Sequence, residues 1–236
     1  MTQEEIKAAA ILFAKKHKLE IAKGITNPEI YLPSKMPVSV FMAGSPGAGK
    51  TEFSKSLLEI FERRIPRVIR IDGDELRTYF SEYTGSNSKL FQGAISILVE
   101  KVHDLALKQN QNFILDGTFW RKDKAIANID RSLAKKRAVF IFYVYQEPEI
   151  AWKFTKKREV LEGRNIPKYA FIDQLVGARN TANHVRSSYG EEVTIMLVKK
   201  NYEKNTVEKL IEIQPGETVD QYLPKIYTKT ALKKTL

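Results

Sequence analysis

The 236-residue chain has no cysteine, which excludes disulfides, thiolate metal sites and cysteine nucleophiles but does not distinguish compartments. Histidine is scarce too. His17, His103 and His184 are isolated in sequence, so a histidine metal cluster is not expected. No apolar run is long enough to cross a bilayer, and the first residues are charged and helical rather than signal-like. A cytoplasmic protein without a membrane partner is therefore the default expectation. Acidic residues are the minority charge: 39 Lys and Arg against 28 Asp and Glu leave a formal +11. The excess is concentrated between Arg121 and Arg164, where 12 basic residues face 6 acidic ones. Such a surface suits nucleic acid, but close to a phosphate site the simpler use of positive charge is to hold a triphosphate, and that use is preferred.

That phosphate site is the best-defined feature of the sequence. Val38 to Ala43 is an apolar run that reads as a buried strand; it breaks at Gly44, and a helical pattern resumes at Thr51. Between them, Gly44-Ser45-Pro46-Gly47-Ala48-Gly49-Lys50-Thr51 has the G-x-x-x-x-G-K-[ST] spacing of a P-loop. Glycines let backbone N–H groups turn inward as an anion nest, and the following helix points its positive end at the phosphates. Lys50 supplies a flexible charge for the β and γ phosphates, and Thr51 offers a hydroxyl to Mg²⁺. Gly44 through Glu52 are the expected nucleotide-binding positions.

Along the rest of the chain strands and helices alternate. A helical stretch from Glu4 to Lys18 and a proline-containing connection precede the first strand. The helix after the P-loop stops before Pro66, and Arg67 to Ile71 forms a second strand. A long helix from about Lys89 to Lys108 leads to a strand at Asn112 to Leu115, followed by a helix over Lys122 to Lys135. A strand at Ala138 to Tyr145, helices from Pro148 and from Pro167, and a strand at Val193 to Val198 complete the pattern, with helical character returning after Thr218. The expected fold is α/β: a P-loop kinase fold with a five-stranded, mainly parallel sheet covered by helices on both faces. Its parts are an N-terminal helix and connection (1–37), the kinase domain (38–200) and a C-terminal extension packed on that domain (201–236). In such sheets ligands bind outside the carboxyl ends of the strands, so the P-loop, Asp72 with Asp74, and Asp116 should converge.

Phosphoryl transfer requires a phosphate cradle, a carboxylate for the acceptor hydroxyl and cations around the transferred group. Asp74, just past the second strand with Arg77 one helical turn later, is the candidate carboxylate; alternatively Asp72 or Asp74 caps a short helix. Asp116 ends the third strand, where it could serve a metal, contact the acceptor or simply make an Asp-Gly turn. Arg158 shares the stripe of Ala151, Phe154 and Leu161, and a charge on a buried face needs a partner, either a carboxylate or a nucleotide phosphate. Arg164 sits in Gly163-Arg164-Asn165-Ile166-Pro167, which reads as a mobile lid or an ordinary solvated loop. Glu100 falls opposite the stripe of Phe91, Ile95, Leu98, Val102 and Leu105, so periodicity places it in solvent.

From about Val38 to Pro167 the sequence resembles the zeta toxin family of P-loop kinases, the toxic halves of toxin–antitoxin pairs. The family's P-loop, Ile-Asp-x-Asp, strand ending in Glu-Gly-Thr and two lid arginines appear in order as Gly44–Thr51, Ile71-Asp72-Gly73-Asp74, Leu115-Asp116-Gly117-Thr118, Arg158 and Arg164. The resemblance implies ATP- and Mg²⁺-dependent phosphorylation of UDP-N-acetylglucosamine at the 3′-hydroxyl of its sugar, and an antitoxin protein as partner. It implies Asp74 as base, Lys50 and Thr51 serving ATP and Mg²⁺, Arg158 and Arg164 clamping the triphosphate, and Glu100, Asp116, Thr118, Arg77 and Arg121 on the acceptor side. Three features depart from the family pattern. Asp116 stands in place of the usual Glu, Arg121 follows Glu-Gly-Thr-x one position late behind Phe119-Trp120, and the lid is short. The competing expectations are a polynucleotide 5′-hydroxyl kinase, to which Asp74-x-x-Arg77 and the basic surface also conform, a kinase of another small metabolite, and a nucleotide-gated binding protein. No Asn-Lys-x-Asp guanine signature is present, which argues against a GTPase switch.

Overall fold

A computed structural model describes residues 1–63, 67–201 and 206–236. The first helix, α1 (Gln3–Ile25), begins at a capping box in which Thr2 and Glu5 satisfy each other's backbone N–H groups. It is seven residues longer at its C-terminal end than the sequence pattern suggests, and its small Ala10 and Ala14 allow close packing. Its partner is α3 (Ser88–Lys108), through Phe91, Ala94, Ile95 and Leu98.

The described residues form one six-stranded sheet: β1 (Val38–Ala43), β2 (Ile69–Asp72), β3 (Phe113–Asp116), β4 (Ala138–Tyr145), β5 (Val193–Asn201) and β6 (Thr206–Ile213). Their order is β2-β3-β1-β4-β5-β6, parallel except for the antiparallel β5–β6 pair. The five-strand expectation is therefore one short, because β6 pairs with β5 inside what reads as a C-terminal extension. Beyond β6, α7 (Lys229–Thr235) seats Leu232 on α6 (Lys168–Tyr189).

Between the strands lie α2 (Lys50–Glu62), α4 (Lys122–Leu133) and α5 (Pro148–Glu162). Pro66, the stop expected for α2, lies outside the described residues. The central strands are apolar at consecutive positions because both faces are covered. Phe41, Ile141, Tyr143 and Ile195 enter a core with Val102, Ile129 and Val185 of the helices. Val40, Met42, Phe142 and Val144 point the other way, onto Leu57 of α2. Order reverses at β1, whose neighbours are β3 and β4, so the carboxyl ends of β1, β2 and β3 open on one crevice. Some of the basic side chains are used inside the fold. Arg77, Arg137 and Arg186 are buried, and Arg137 bonds Ser39 Oγ and the carbonyls of Val38 and Gln111.

Candidate active site

The P-loop turns directly from β1 into α2, and its shape depends on glycine. Gly47 has φ +70°, and a Cβ there would lie 2.1 Å from the Ala151 carbonyl oxygen of α5. Gly49, at φ +85°, is the residue from which α2 starts, leaving the first N–H groups of that helix unclaimed by a side-chain cap. Lys50 folds back so that Nζ donates to the Ser45 carbonyl at 2.6 Å. Burial lowers its pKa to about 8, with Arg164 and Arg158 pushing the same way and Asp116 and Asp74 opposing. Pro46 through Glu52 line a cleft of about 1010 Å³. Gly44 and Ser45 lie behind it: the Gly44 N–H bonds the Thr118 carbonyl at 3.2 Å, tying the loop to the segment after β3.

Asp74 is delivered by the turn at the end of β2, where Asp72 Oδ1 accepts the Asp74 N–H at 2.8 Å. A short 3₁₀ turn follows (Glu75–Tyr79), and Asp74 occupies its N-cap position without making a side-chain cap. The capping alternative therefore does not describe its carboxylate. Three arginines surround that carboxylate instead. Arg77 Nε lies 3.2 Å from Oδ1, Arg164 ion-pairs with Oδ2, and Arg158 Nη2 is 3.7 Å from Oδ2. The Asp72 carboxyl is raised above its usual pKa by burial, then by the charges of Asp74 and Asp116.

Arg158 arrives differently from the sequence expectation, whereas Arg164 lies in the expected loop. The stripe that was to bury Arg158 does not continue, since Leu161 is 73% exposed at the end of α5. Arg158 is half-buried on the cleft side, pairing with Glu162 at 3.0 Å and reaching Asp74. Arg164 enters from the loop between α5 and α6, which passes so close to Gly85 that a Cβ there would lie 2.3 Å from the Glu162 carbonyl oxygen.

Another wall of the cleft is built from α3. Ser88, Gln92, Ser96, Glu100 and His103 recur at helical spacing and line the cleft. Periodicity consigned Glu100 to solvent, but the polar face of α3 is the cleft wall. Glu100 is held there by Arg131 of α4 at 2.9 Å, and Arg131 is in turn fixed by Asp104, Asn128 and His103. Arginine can only donate, so His103 Nδ1 accepts. Burial, then Arg131 and Arg137, lowers His103 to about 3, leaving it neutral and unsuited to act as a base. Asp116 and Thr118 line the cleft beside the P-loop and its helix, and Arg121 stands at the rim, 3.1 Å from Asp123. Phe119 takes a left-handed backbone (φ +60°) with its ring against Phe41.

Asp116 is neither solvated nor a plain turn residue: Oδ2 accepts from Ser54 Oγ at 2.8 Å and from Arg70 Nη2 at 2.6 Å. Arg70, Arg131, Asn128 and His103 are absent from the sequence-based set. The alternation of Arg70 and Asp72 with the buried Ile69 and Ile71 carried a signal for the first of these.

Mg²⁺ takes oxygen ligands, usually one or two from protein and the rest from phosphate and water. Among the described residues no group of three or more His, Cys, Asp or Glu could cage a metal. The hydroxyl of Thr51, on the first turn of α2 and lining the cleft, suits a metal carried by a triphosphate. No helix among the described residues is long and apolar enough to cross a membrane.

Among solved structures, the chain resembles one from the PezAT chromosomal toxin–antitoxin system of Streptococcus pneumoniae, with a TM-score of 0.61 at 15% identity, covering 99% of this chain and 87% of that one. It also resembles the AvrRxo1-ORF1:-ORF2 structure with ATP, with a TM-score of 0.58 at 13% identity, covering 92% and 70%. Identities this low establish the shared fold alone. No curated protein matches the chain in sequence. The zeta toxin family model, however, matches residues 23–209, a span that takes in the P-loop, Asp74, the α3 wall and both lid arginines. The chain belongs to the zeta toxin family and is a phosphotransferase acting on hydroxyl groups.

Proposed function

We propose that the chain moves the γ-phosphoryl group of ATP to a hydroxyl of a sugar nucleotide, with the 3′-hydroxyl of UDP-N-acetylglucosamine as the leading acceptor and Asp74 as general base. The observation that carries this is the position of Asp74. It lines the same cleft as Lys50, Glu100, Asp116 and Thr118, and three arginines surround its carboxylate. The cleft, at about 1010 Å³, is at the upper end of the range for a single ligand, about 300–1,000 Å³, which suits a donor and an acceptor held together.

The chemistry follows from the charges. Lys50 and the N–H groups of the loop hold the phosphates of ATP, while Arg158 and Arg164 exchange part of their hold on Asp74 for the transferring group. Asp74 accepts the proton of the attacking hydroxyl, and Arg77 keeps its carboxylate oriented. Mg²⁺, held through Thr51 and the phosphates, would neutralise charge between the β and γ positions.

Incubation with ATP, Mg²⁺ and an acceptor panel, read by mass, provides the test. UDP-N-acetylglucosamine should gain one phosphoryl group. A gain on a 5′-hydroxyl oligonucleotide instead would move the acceptor to nucleic acid. Asp74→Asn should lower transfer by about 10²–10⁴-fold. Its ATP affinity should be unchanged or tighter, because Arg158 and Arg164 lose a competing carboxylate. Full activity in that variant removes Asp74 from the base role. A protein inhibitor is the expected partner, on the pattern of the PezAT system, which is a toxin–antitoxin pair.

A further inference from the structure

The Arg70 side chain is 7% exposed, lies one residue into β2, and is not among the residues assigned a role above. In the parallel β2–β3 register Asp72 is the partner of Asp116, and Arg70, two residues before Asp72, lies on the same face of the strand. Two carboxylates opposite one another on adjacent strands repel, and taking them out of water adds a further cost. A single guanidinium answers both. Arg70 Nη2 donates to Asp72 Oδ2 at 2.5 Å and to Asp116 Oδ2 at 2.6 Å, Nη1 bonds Glu75, and Nε donates to Ser54 Oγ at 3.0 Å. Ser54, fully buried on α2, donates its hydroxyl to Asp116 Oδ2 at 2.8 Å. The hold does not end there, because Asp72 presents its other oxygen to the Asp74 N–H at 2.8 Å.

We infer that Arg70 is a positioning residue for the transfer. It fixes which oxygen of Asp116 faces the acceptor and, through Asp72, holds the backbone of Asp74 in place. The inference rests on the kinase reading above. An apolar pair at 72 and 116 would stabilise the sheet as well or better. The charged cluster spends stability to bring three carboxylates to the open end of β2 and β3, where two of them line the cleft with fixed orientation. With Oδ2 of Asp116 taken by Ser54 and Arg70, Oδ1 is the oxygen left for a ligand. A lysine could supply the charge but not the planar fork that reaches both carboxylates and Ser54. The surrounding charges are Lys50 from α2, Asp74, Glu75 and Arg77 after β2, and Arg158 and Arg164 from the lid.

The test uses the full chain, with Arg70→Met, Arg70→Lys and the double variant Arg70→Met/Asp72→Asn. Two readouts are taken: kcat and KM for ATP and acceptor, and hydrogen exchange of the Asp74 amide. Arg70→Met should lower kcat by about 10²-fold, the scale of an angstrom-level misplacement, with the KM for ATP within about threefold of wild type. Its Asp74 amide should exchange about tenfold faster or more, having lost a fixed acceptor. Arg70→Lys should lose about tenfold in kcat. Should Arg70→Met fail to fold, the double variant removes the repulsion and should fold, still with low kcat. A purely structural role predicts recovery of kcat in that double variant. Recovery to within twofold of wild type would overturn the inference, as would an Asp74 amide in either variant that exchanges at the wild-type rate. If the wild-type chain phosphorylates no member of the acceptor panel, the acceptor reading falls, while the exchange data still decide whether Arg70 holds Asp74.

Discussion

Lys50 carries the most quantitative prediction, because the fold weakens its charge before any phosphate arrives. Burial lowers its pKa from 10.5 to about 8, the two lid arginines add to the shift, and Asp116 and Asp74 only partly offset it. A bound triphosphate adds negative charge beside Nζ, so the pKa in the complex must rise. The sign follows: ATP binds best to the protonated lysine, and affinity falls as pH climbs through the pKa of the free protein. With that pKa at about 8, and restored in the complex towards the ordinary 10.5, ATP affinity should drop about tenfold between pH 7 and pH 9, or about 1.4 kcal/mol. Calorimetric titration in two buffers of different ionisation enthalpy should show uptake of about three quarters of a proton at pH 8.5. Lys50→Met should bind weakly and take up none. An affinity that is flat from pH 7 to 9, with no proton uptake by the wild type, would refute the burial argument.

Other perturbations test separate parts of the site. Gly47→Ala places a Cβ 2.1 Å from the Ala151 carbonyl in a left-handed backbone, so ATP affinity should fall by about 10–100-fold in equilibrium binding, the scale of 1–3 kcal/mol of strain. Wild-type affinity would mean that the loop does not need its approach to α5. Phe41→Ala empties a fully buried site edged by Phe113 and Phe119, and should cost about 3–5 kcal/mol in denaturant unfolding. Arg131→Met leaves Glu100 unheld, and should raise the acceptor KM by about tenfold with little change in the KM for ATP, the scale of one lost charge-assisted bond. An equal rise in both would remove Glu100 from a purely acceptor-side role.

What could be read in the sequence divides along a physical line. β1, β4 and α5 were bounded closely because both kinds of signal were local: continuous apolar runs for strands buried on two faces, and Pro148 at the first turn of a helix. β6 was missed because an edge strand buries little. Of its eight residues only Ile213 is buried, so the alternation that marks a strand is absent, and its pairing with β5 is decided by tertiary contact. Glu100 was misplaced for a related reason. Helical periodicity separates apolar from polar faces, but the polar face of α3 borders a ligand cleft, and the pattern is the same for a cleft as for bulk water. Arg158 reaches the cleft without the apolar stripe that suggested it: Leu161 projects into solvent, and the arginine is held by Glu162 one turn on and by Asp74 after β2. Asp74 and Arg70 show the two halves of the same limit. The first was legible because a carboxylate after a strand, three residues before an arginine, is a local pattern. The second acts through Asp116, 46 residues away, and that contact exists only once β2 and β3 settle into register. Under the proposed function, the residues for the donor come largely from one loop, whereas those for the acceptor come from strand ends and a helix face. The acceptor side is therefore where substitutions far apart in sequence should prove coupled, and a double-mutant cycle between Arg70 and Asp116 is the direct measure of that coupling.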